Sequence, residues 1–157
     1  MVRFKRARGN GVRVRLAEDE AELLRRLVAE MRTMLEVHIS QDPVIQRLFP
    51  DAHVSSEEAA DFRALTEDDL SAAKRSALET VSASLASDGR LDTTLREAEV
   101  DAWLSVLTDL RLAIGARLEV TEELMSADVD PQDKNAPALV TLHWLGWLQE
   151  MLLEAAG

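Results

Sequence analysis

The feature that most constrains the fold is a two-residue alternation of apolar and charged side chains near the start of the chain. Residues 12–16, Val-Arg-Val-Arg-Leu, show this alternation, and residues 2–5, Val-Arg-Phe-Lys, show it again. The pattern is typical of strands with one buried and one solvent face. Between the two segments, residues 8–11 contain an Asn-Gly pair, which readily takes the positive φ values of a tight turn. The sequence therefore predicts a β-hairpin over residues 2–16, with the first strand at an edge because Arg6 interrupts its apolar face.

This predicted hairpin is basic, whereas the protein as a whole is acidic. The first fifteen residues carry six basic and no acidic side chains, although the net charge of the chain is −11. Arginines on a two-stranded ribbon can contact both phosphates and bases, so the hairpin is a candidate for binding DNA or an acidic protein. The alternatives are that it pairs with the protein's own acidic surface, or that its charges protect an edge strand from aggregation. The candidate binding residues are Arg3, Lys5, Arg6, Arg8, Arg13 and Arg15.

Beyond residue 17, apolar side chains recur at the three- and four-residue spacing of helices. We predict helices from Asp19 to about Ile39, from Thr66 to near Gly89, from a capping box at Thr94 and Glu97, and from Pro137, with short helical segments after Asp42 and Ser55. A polar loop is expected at residues 126–137. The expected fold is mostly α: one domain over residues 1–157, in which a bundle of about five helices follows a hairpin at residues 1–16.

The last predicted helix is apolar on more than one face. Leucines at positions 142, 145, 148 and 152 occupy one face, and Trp144, Trp147 and Met151 occupy another. A helix that is apolar nearly all round is either central to the core or shared with a partner. We therefore expect Trp144, Trp147 and Met151 to form a partner interface, which would make a homodimer possible.

No catalytic pattern is present in the sequence. The chain has no cysteine, which excludes disulfides and thiolate nucleophiles. Its histidines, His38, His53 and His143, form no metal-binding helical motif, and no phosphate-binding glycine loop is found. We expect His143 to be a core or interface residue, and the acids at 67–69 to stabilise a helix start rather than hold a cation. The sequence thus predicts a protein without enzymatic activity, cofactor or metal.

Arg111 is unusual because it lies on the apolar stripe of its predicted helix. A buried arginine needs a partner. That partner could be an acid such as Asp69 or Glu122 in a structural ion pair. Alternatively, Arg111 could serve as an anion or partner site.

The sequence contains no apolar run of the length that a membrane span requires. The basic start is not followed by the apolar segment of a secretory signal. We therefore expect a cytoplasmic protein with no membrane contact.

Several motifs, taken in order, resemble those of one family. After the basic start they are Asp42-Pro43-Val44, Leu48-Phe49-Pro50-Asp51-Ala52, Phe62-Arg63, Leu65-Thr66-Glu67-Asp68-Asp69-Leu70, Lys74-Arg75, Trp103-Leu104, Asp109-Leu110-Arg111-Leu112, Gly115-x-Arg117-Leu118 and Trp144-Leu145-Gly146-x-Leu148-Gln149-Glu150. In this order the chain is similar to the actinobacterial AosR-like family of oxidative-stress transcriptional regulators, long known only as a domain of unknown function.

The resemblance implies a cytosolic regulator that acts on transcription with an RNA polymerase sigma factor and responds to redox state. The sequence departs from that picture in one respect, since a thiol switch requires cysteines and the chain has none. Redox sensing would then come from a partner or from methionine oxidation, or it would be absent. The alternative function is that of a protein-binding adaptor or scaffold without direct DNA contact.

Overall fold

The structure is a computed structural model that describes residues 3–37, 72–118 and 136–157. Its strands are β1 (Arg3–Arg6), β2 (Val12–Leu16) and β3 (Leu91–Leu95), and its helices are α1 (Glu18–Val37), α2 (72–84), α3 (Glu97–Leu118) and α4 (Ala136–Ala156). Most of the described residues are helical and the N-terminal hairpin is present, which confirms the predicted fold class. The helical segments predicted after Asp42 and Ser55, the helix start at Thr66 and most of the polar loop lie outside the described residues.

The N-terminal hairpin is part of a three-stranded antiparallel sheet in the order β1-β2-β3. The sequence analysis expected only helices and loops beyond residue 17, with a connection between Gly89 and Thr94, and therefore missed the strand Leu91–Leu95. The only apolar residues of this short strand are Leu91 and Leu95, and their spacing of four residues is equally compatible with a helix. Within the described sheet β1 is at an edge, as predicted from Arg6.

The starts of α1 and α3 share one capping arrangement. The backbone N–H of Ala17 donates to Oε1 of Glu20 at 3.2 Å, and that of Arg96 donates to Oε1 of Glu99 at 3.0 Å. Each glutamate reaches back three residues, as in one half of a capping box. The box predicted at Thr94 and Glu97 is therefore wrong by two residues, because Thr94 belongs to the strand.

The hairpin turn differs from the predicted Asn-Gly turn. The positive φ values fall on Gly9 (64°) and Asn10 (60°), whereas Gly11 has a φ of −80°. Gly11 is required for a different reason, since a Cβ there would lie only 2.7 Å from the carbonyl oxygen of Leu95. The close approach of β3 thus explains a glycine that the sequence assigned to the turn.

The inner face of the sheet carries the apolar half of the alternation. Val12, Val14 and Leu16 are at most 2% exposed, as the alternation predicted. They join one apolar cluster with side chains from all four described helices. Helix α4 packs against β1 and β2 and, on another side, against α3. The inner face of the sheet is therefore packed against the helices, and its outer face is exposed to solvent.

Helices α1 and α2 run antiparallel and cap each other with arginines. Arg25 of α1 donates from Nε to the carbonyl of Leu85 at 2.7 Å and from Nη1 to that of Gly89 at 2.9 Å. In return, Nη2 of Arg75 donates to the carbonyl of Leu35 at 3.3 Å. Carbonyl groups at a helix C-terminus lack partners within the helix, so each arginine satisfies the end of the other helix.

A buried ion pair joins α2 to α3. Nζ of Lys74 donates to both carboxylate oxygens of Asp109, at 2.9 and 3.1 Å. The two side chains are only 14% and 12% exposed. Asp109 is the one buried charged residue in the described part of the chain.

In the described ranges, no helix has both the length and the apolar character needed to span a membrane.

A candidate anion-binding face on the sheet

The outer face of the sheet brings together four of the six basic positions of the hairpin. The strand register pairs Arg3 with Arg15 and Lys5 with Arg13. Directly paired residues of antiparallel strands lie on the same face, so the four positions share the solvent face, in agreement with the alternation of apolar and charged residues in the sequence. The side chains of Lys5, Arg13 and Arg15 are exposed. We refer to Lys5, Arg13 and Arg15, with the position of Arg3, as the basic face.

The third strand adds a carboxylate to this face. Arg13 binds Asp92 with two parallel hydrogen bonds, from Nε to Oδ1 at 3.0 Å and from Nη2 to Oδ2 at 2.9 Å. Nε of Arg15 donates to the same Oδ2 at 3.3 Å. The hydrogen bond from Arg13 lowers the pKa of Asp92 and raises that of Arg13, with a smaller contribution from their opposite charges. The sequence prediction missed Asp92 because it did not identify β3.

The basic face remains positive after this pairing. The face contains one carboxylate, that of Asp92, and three exposed basic side chains, those of Lys5, Arg13 and Arg15. Among the described residues, Lys5 has no ion-pair partner. One alternative was that the hairpin pairs with the protein's own acidic surface. In the described part of the chain it pairs with Asp92, and this alternative therefore holds only in part.

Two of the candidate binding residues lie elsewhere. Arg6 is paired with Val12, which places it at the inner-face register, and its Nη1 donates to the carbonyl of Gly157 at 3.4 Å. Arg8 is exposed in the turn that joins β1 to β2. Neither belongs to the basic face.

The three residues predicted as a partner interface differ in their exposure. Trp147 is 42% exposed, whereas Met151 and Trp144 are half-buried. Trp144 packs against the core, and its indole Nε1 donates to Oε2 of Glu20 at 3.4 Å. Val140, two helical turns before Trp147, is 56% exposed. The interface stays a prediction, with Trp147 as its most accessible member.

Arg111 is half-buried, as predicted, but its described partner is an amide. Its Nη1 donates to Oε1 of Gln149 at 2.8 Å. The guanidinium lies against Gly146, where a Cβ would come within 3.5 Å of it. Asp69 and Glu122, the acids suggested from the sequence, lie outside the described residues. Within the described ranges no carboxylate pairs with Arg111.

The remaining candidates are the three histidines and the acids at 67–69. His143 is exposed on α4, so the prediction of a core position is wrong, while the interface alternative stays a prediction. His38, His53 and the acids at 67–69 lie outside the described residues. No group of three metal-binding side chains occurs in the ranges that the structure describes.

Comparison with known proteins gives a family and one curated relative. The family described as "Domain of unknown function (DUF2017)" matches residues 1–156. The chain is 34% identical over 137 residues to the "Putative oxidative stress regulator AosR" of Mycobacterium leprae (strain TN). That alignment covers 73% of this chain and 58% of the relative, so the chain matches well under two thirds of the relative's length. No solved structure matches.

The relative's name describes a regulator of the oxidative-stress response. The match over nearly all residues confirms the resemblance that the motifs indicated. The chain belongs to the DUF2017 family, the AosR-like family to which its sequence motifs point.

Proposed function

We propose that the chain is a non-enzymatic regulator of an oxidative-stress response, which acts on the transcription machinery by binding an acidic partner protein through its basic face. The observation that carries the proposal is the arrangement of Arg13 and Arg15 on a sheet whose other face is anchored in the core. The relative's name supports the regulatory role. The partner class that the family resemblance implies is an RNA polymerase sigma factor.

The pairing with Asp92 favours carboxylates as the groups that this face binds. Arg13 holds that carboxylate in the two-bond geometry typical of arginine and acidic side chains. A partner's aspartate or glutamate would meet the ammonium of Lys5 and the two terminal nitrogens of Arg15, which have no partner among the described residues. Binding through discrete carboxylates therefore reproduces a contact that the protein already makes.

Direct DNA binding is less well supported by the geometry. The net charge of −11 opposes the approach of a polyanion to the protein. The hairpin is also not a free two-stranded ribbon, because β2 is flanked by β3 and its apolar side chains are buried. Asp92 would in addition face the phosphates. Direct DNA binding is therefore the alternative that the binding experiment has to exclude.

The experiment compares two variants that remove the same charge. Lys5→Gln/Arg15→Gln neutralises two positions of the basic face, and Arg26→Gln/Arg96→Gln neutralises two exposed arginines elsewhere. Binding is measured to RNA polymerase holoenzyme and, across a salt series, to labelled duplex DNA. We expect the first variant to lose the holoenzyme complex and the second to retain it, with both folded by circular dichroism.

Equal losses in both variants, or none in either, would contradict the proposal. DNA binding by the wild type with a log-log salt slope of about −3 to −5, lost in the first variant only, would make the face a DNA reader that contacts three to six phosphates.

A second candidate is a protein-binding adaptor that uses the outer side of α4, since Val140 and Trp147 are exposed there. In that case Trp147→Asp would become monomeric or lose a partner, and its DNA affinity would not change. Size-exclusion chromatography with light scattering would show the difference. A variant that keeps the mass and partners of the wild type would exclude this role for Trp147.

A further inference from the structure

A cleft of about 270 Å³ lies at one end of the basic face, where β2 leads into α1 and β3 begins. It is lined by Arg15, Leu16, Ala17, Arg90, Leu91 and Asp92. Leu16 and Leu91 are paired across the strands and each is 2% exposed, so they belong to the apolar core. The polar residues that line the cleft are therefore next to residues of the packed core.

Two arginines of this cleft have donors to spare. Arg15 uses only its Nε, in the 3.3 Å bond to Asp92, and its two terminal nitrogens have no partner among the described residues. Arg90 is exposed and, within the same ranges, makes no hydrogen bond or ion pair. Each guanidinium presents a planar fork of N–H groups, which matches the oxygens of an anion.

The charges at the cleft indicate which anion fits. Both oxygens of Asp92 are already bound by Arg13. Together with Arg15 and Arg90, these groups amount to three cations and one anion, a net charge of about +2. A phosphomonoester carries a charge of about −1.5 to −2 at pH 7 and offers three acceptor oxygens. A carboxylate would neutralise only half of this charge.

The surroundings set a limit on the size and charge of the ligand. The exposed acids Glu18 and Asp19 begin α1 directly after Ala17, and they disfavour a long polyanion. The cleft is also smaller than the ~300–1,000 Å³ of typical ligand pockets. Both facts favour a single terminal phosphate over a nucleic-acid backbone.

We propose that this cleft binds the phosphate group of a phosphomonoester, with Arg15 and Arg90 as the donors. The site deepens the proposed function and rests on it in part, because Arg15 belongs to both surfaces, whereas Arg90 belongs to the cleft alone. A phosphomonoester could come from a phosphorylated side chain of the partner or from a mononucleotide. The two sources share the chemistry that the cleft recognises.

The test titrates the full chain with inorganic phosphate, N-acetyl phosphoserine amide and adenosine monophosphate, with acetate as the carboxylate control. Nuclear magnetic resonance follows the backbone amides of residues 15–17 and 90–92 and the Nε–H groups of the arginines. We expect saturable shifts with a Kd of about 1 mM for inorganic phosphate. Arg90→Gln should weaken binding roughly tenfold or more, and the exposed-arginine control Arg26→Gln should not change it.

The arms of the titration separate the two sources. Tighter binding of phosphoserine identifies a phosphorylated protein, and tighter binding of adenosine monophosphate identifies a nucleotide. Shifts that do not saturate, an equal response to acetate, or an equal weakening by Arg26→Gln would overturn the proposal. Arg90→Gln leaves Lys5 and Arg13 intact, so an Arg90→Gln protein that keeps the holoenzyme complex, alongside a wild type that binds no phosphate, would refute the cleft but not the proposed function.

Discussion

Asp92 and Asp109 each bind a cation with both carboxylate oxygens, but they do so in opposite surroundings. Asp92 lies on the outer face of the sheet and is 40% exposed, and its partners Arg13 and Arg15 are 48% and 45% exposed. Asp109 is a residue of α3 and faces Lys74 of α2, and the two side chains are 12% and 14% exposed, respectively. The bond lengths are nearly the same, at about 3 Å.

The difference shows that the geometry of an ion pair does not by itself determine whether the pair stabilises the fold or takes part in binding. Water and salt screen the exposed pair, so it contributes little to stability and a partner's anion can replace it. The buried pair has lost most of its contact with water, and removing one member leaves an uncompensated charge. We therefore expect the sheet pair to affect binding and the helix pair to affect folding.

The largest expected effect is that of Asp109→Ala. The ammonium of Lys74 would be left buried without its counter-ion, which costs about 3–5 kcal/mol of the free energy of unfolding. Urea denaturation followed by circular dichroism measures this loss. A loss below about 1 kcal/mol would mean that water reaches the pair and that the contrast with Asp92 is not real.

The double variant Lys74→Met/Asp109→Leu sharpens the comparison. Apolar residues of similar volume remove both charges together, and such replacements are often neutral or stabilising. We expect the double variant to recover the wild-type free energy of unfolding within about 1 kcal/mol. If it stays as unstable as Asp109→Ala, the pair contributes more than its own charge balance.

Glu99 is an intermediate case, with a side chain that is 23% exposed. The hydrogen bond from the backbone N–H of Arg96 lowers its pKa, and contacts with the Arg96 side chain act in the same direction. Because the folded pKa lies below the unfolded value, the stabilisation is present above the unfolded pKa and disappears as the pH falls through the folded pKa. Glu99→Gln should cost about 0.3–1 kcal/mol at neutral pH and less in acid.

Thermal unfolding at neutral and acidic pH checks this prediction, with Glu97→Gln in the same helical turn as the control. Glu97 is exposed and does not cap the helix start in the described structure. Equal losses in both variants would indicate a general effect of charge near the helix start rather than the Glu99 bond.

Asp92→Asn should leave the melting temperature unchanged within error, because its side chain and those of its partners are exposed. The variant frees Arg13 and Arg15, so we expect the proposed binding to the holoenzyme to become roughly tenfold tighter. Differential scanning calorimetry and a binding titration together check both expectations. A clear fall in the melting temperature would place Asp92 with Asp109 as a structural residue.

The smallest effect is expected for Glu79→Gln, which removes an ion pair with Arg32 between α1 and α2. The two side chains are 61% and 42% exposed, so the free energy of unfolding should change by less than about 0.5 kcal/mol. Urea denaturation checks this, and the proposed binding to the holoenzyme should be unaffected by the substitution. A change in either would show that exposure is a poor guide to the role of an ion pair in this fold.

The hairpin could be predicted because its information is local. The alternation at residues 12–16 reports burial directly, and its partner strand follows after a short turn. β3 could not be predicted in the same way, since its five residues contain just two leucines and its pairing depends on β2, far away in the chain. Asp92 was missed for that reason, and with it the exposed ion pair.

Arg111 shows a second limit of sequence reasoning. Its partial burial followed from the apolar stripe of α3, because that stripe marks the face turned to the core. Its partner did not follow, since contact with Gln149 depends on how α4 is rotated and how it is placed along α3. Helical periodicity gives the buried face of each helix but not which residues meet across two helices.

The pairing of β2 with β3 also has a consequence for the order in which the molecule folds. Arg13 and Asp92 are 79 residues apart in the chain. A ribosome therefore releases β2 long before β3, and until then β2 has an unpaired edge and no complete apolar cover. Contacts of such separation form slowly, and unpaired strand edges invite association with other chains. The arginines of β2 would then repel identical nascent chains during this interval, which is a role for these charges before the protein has folded.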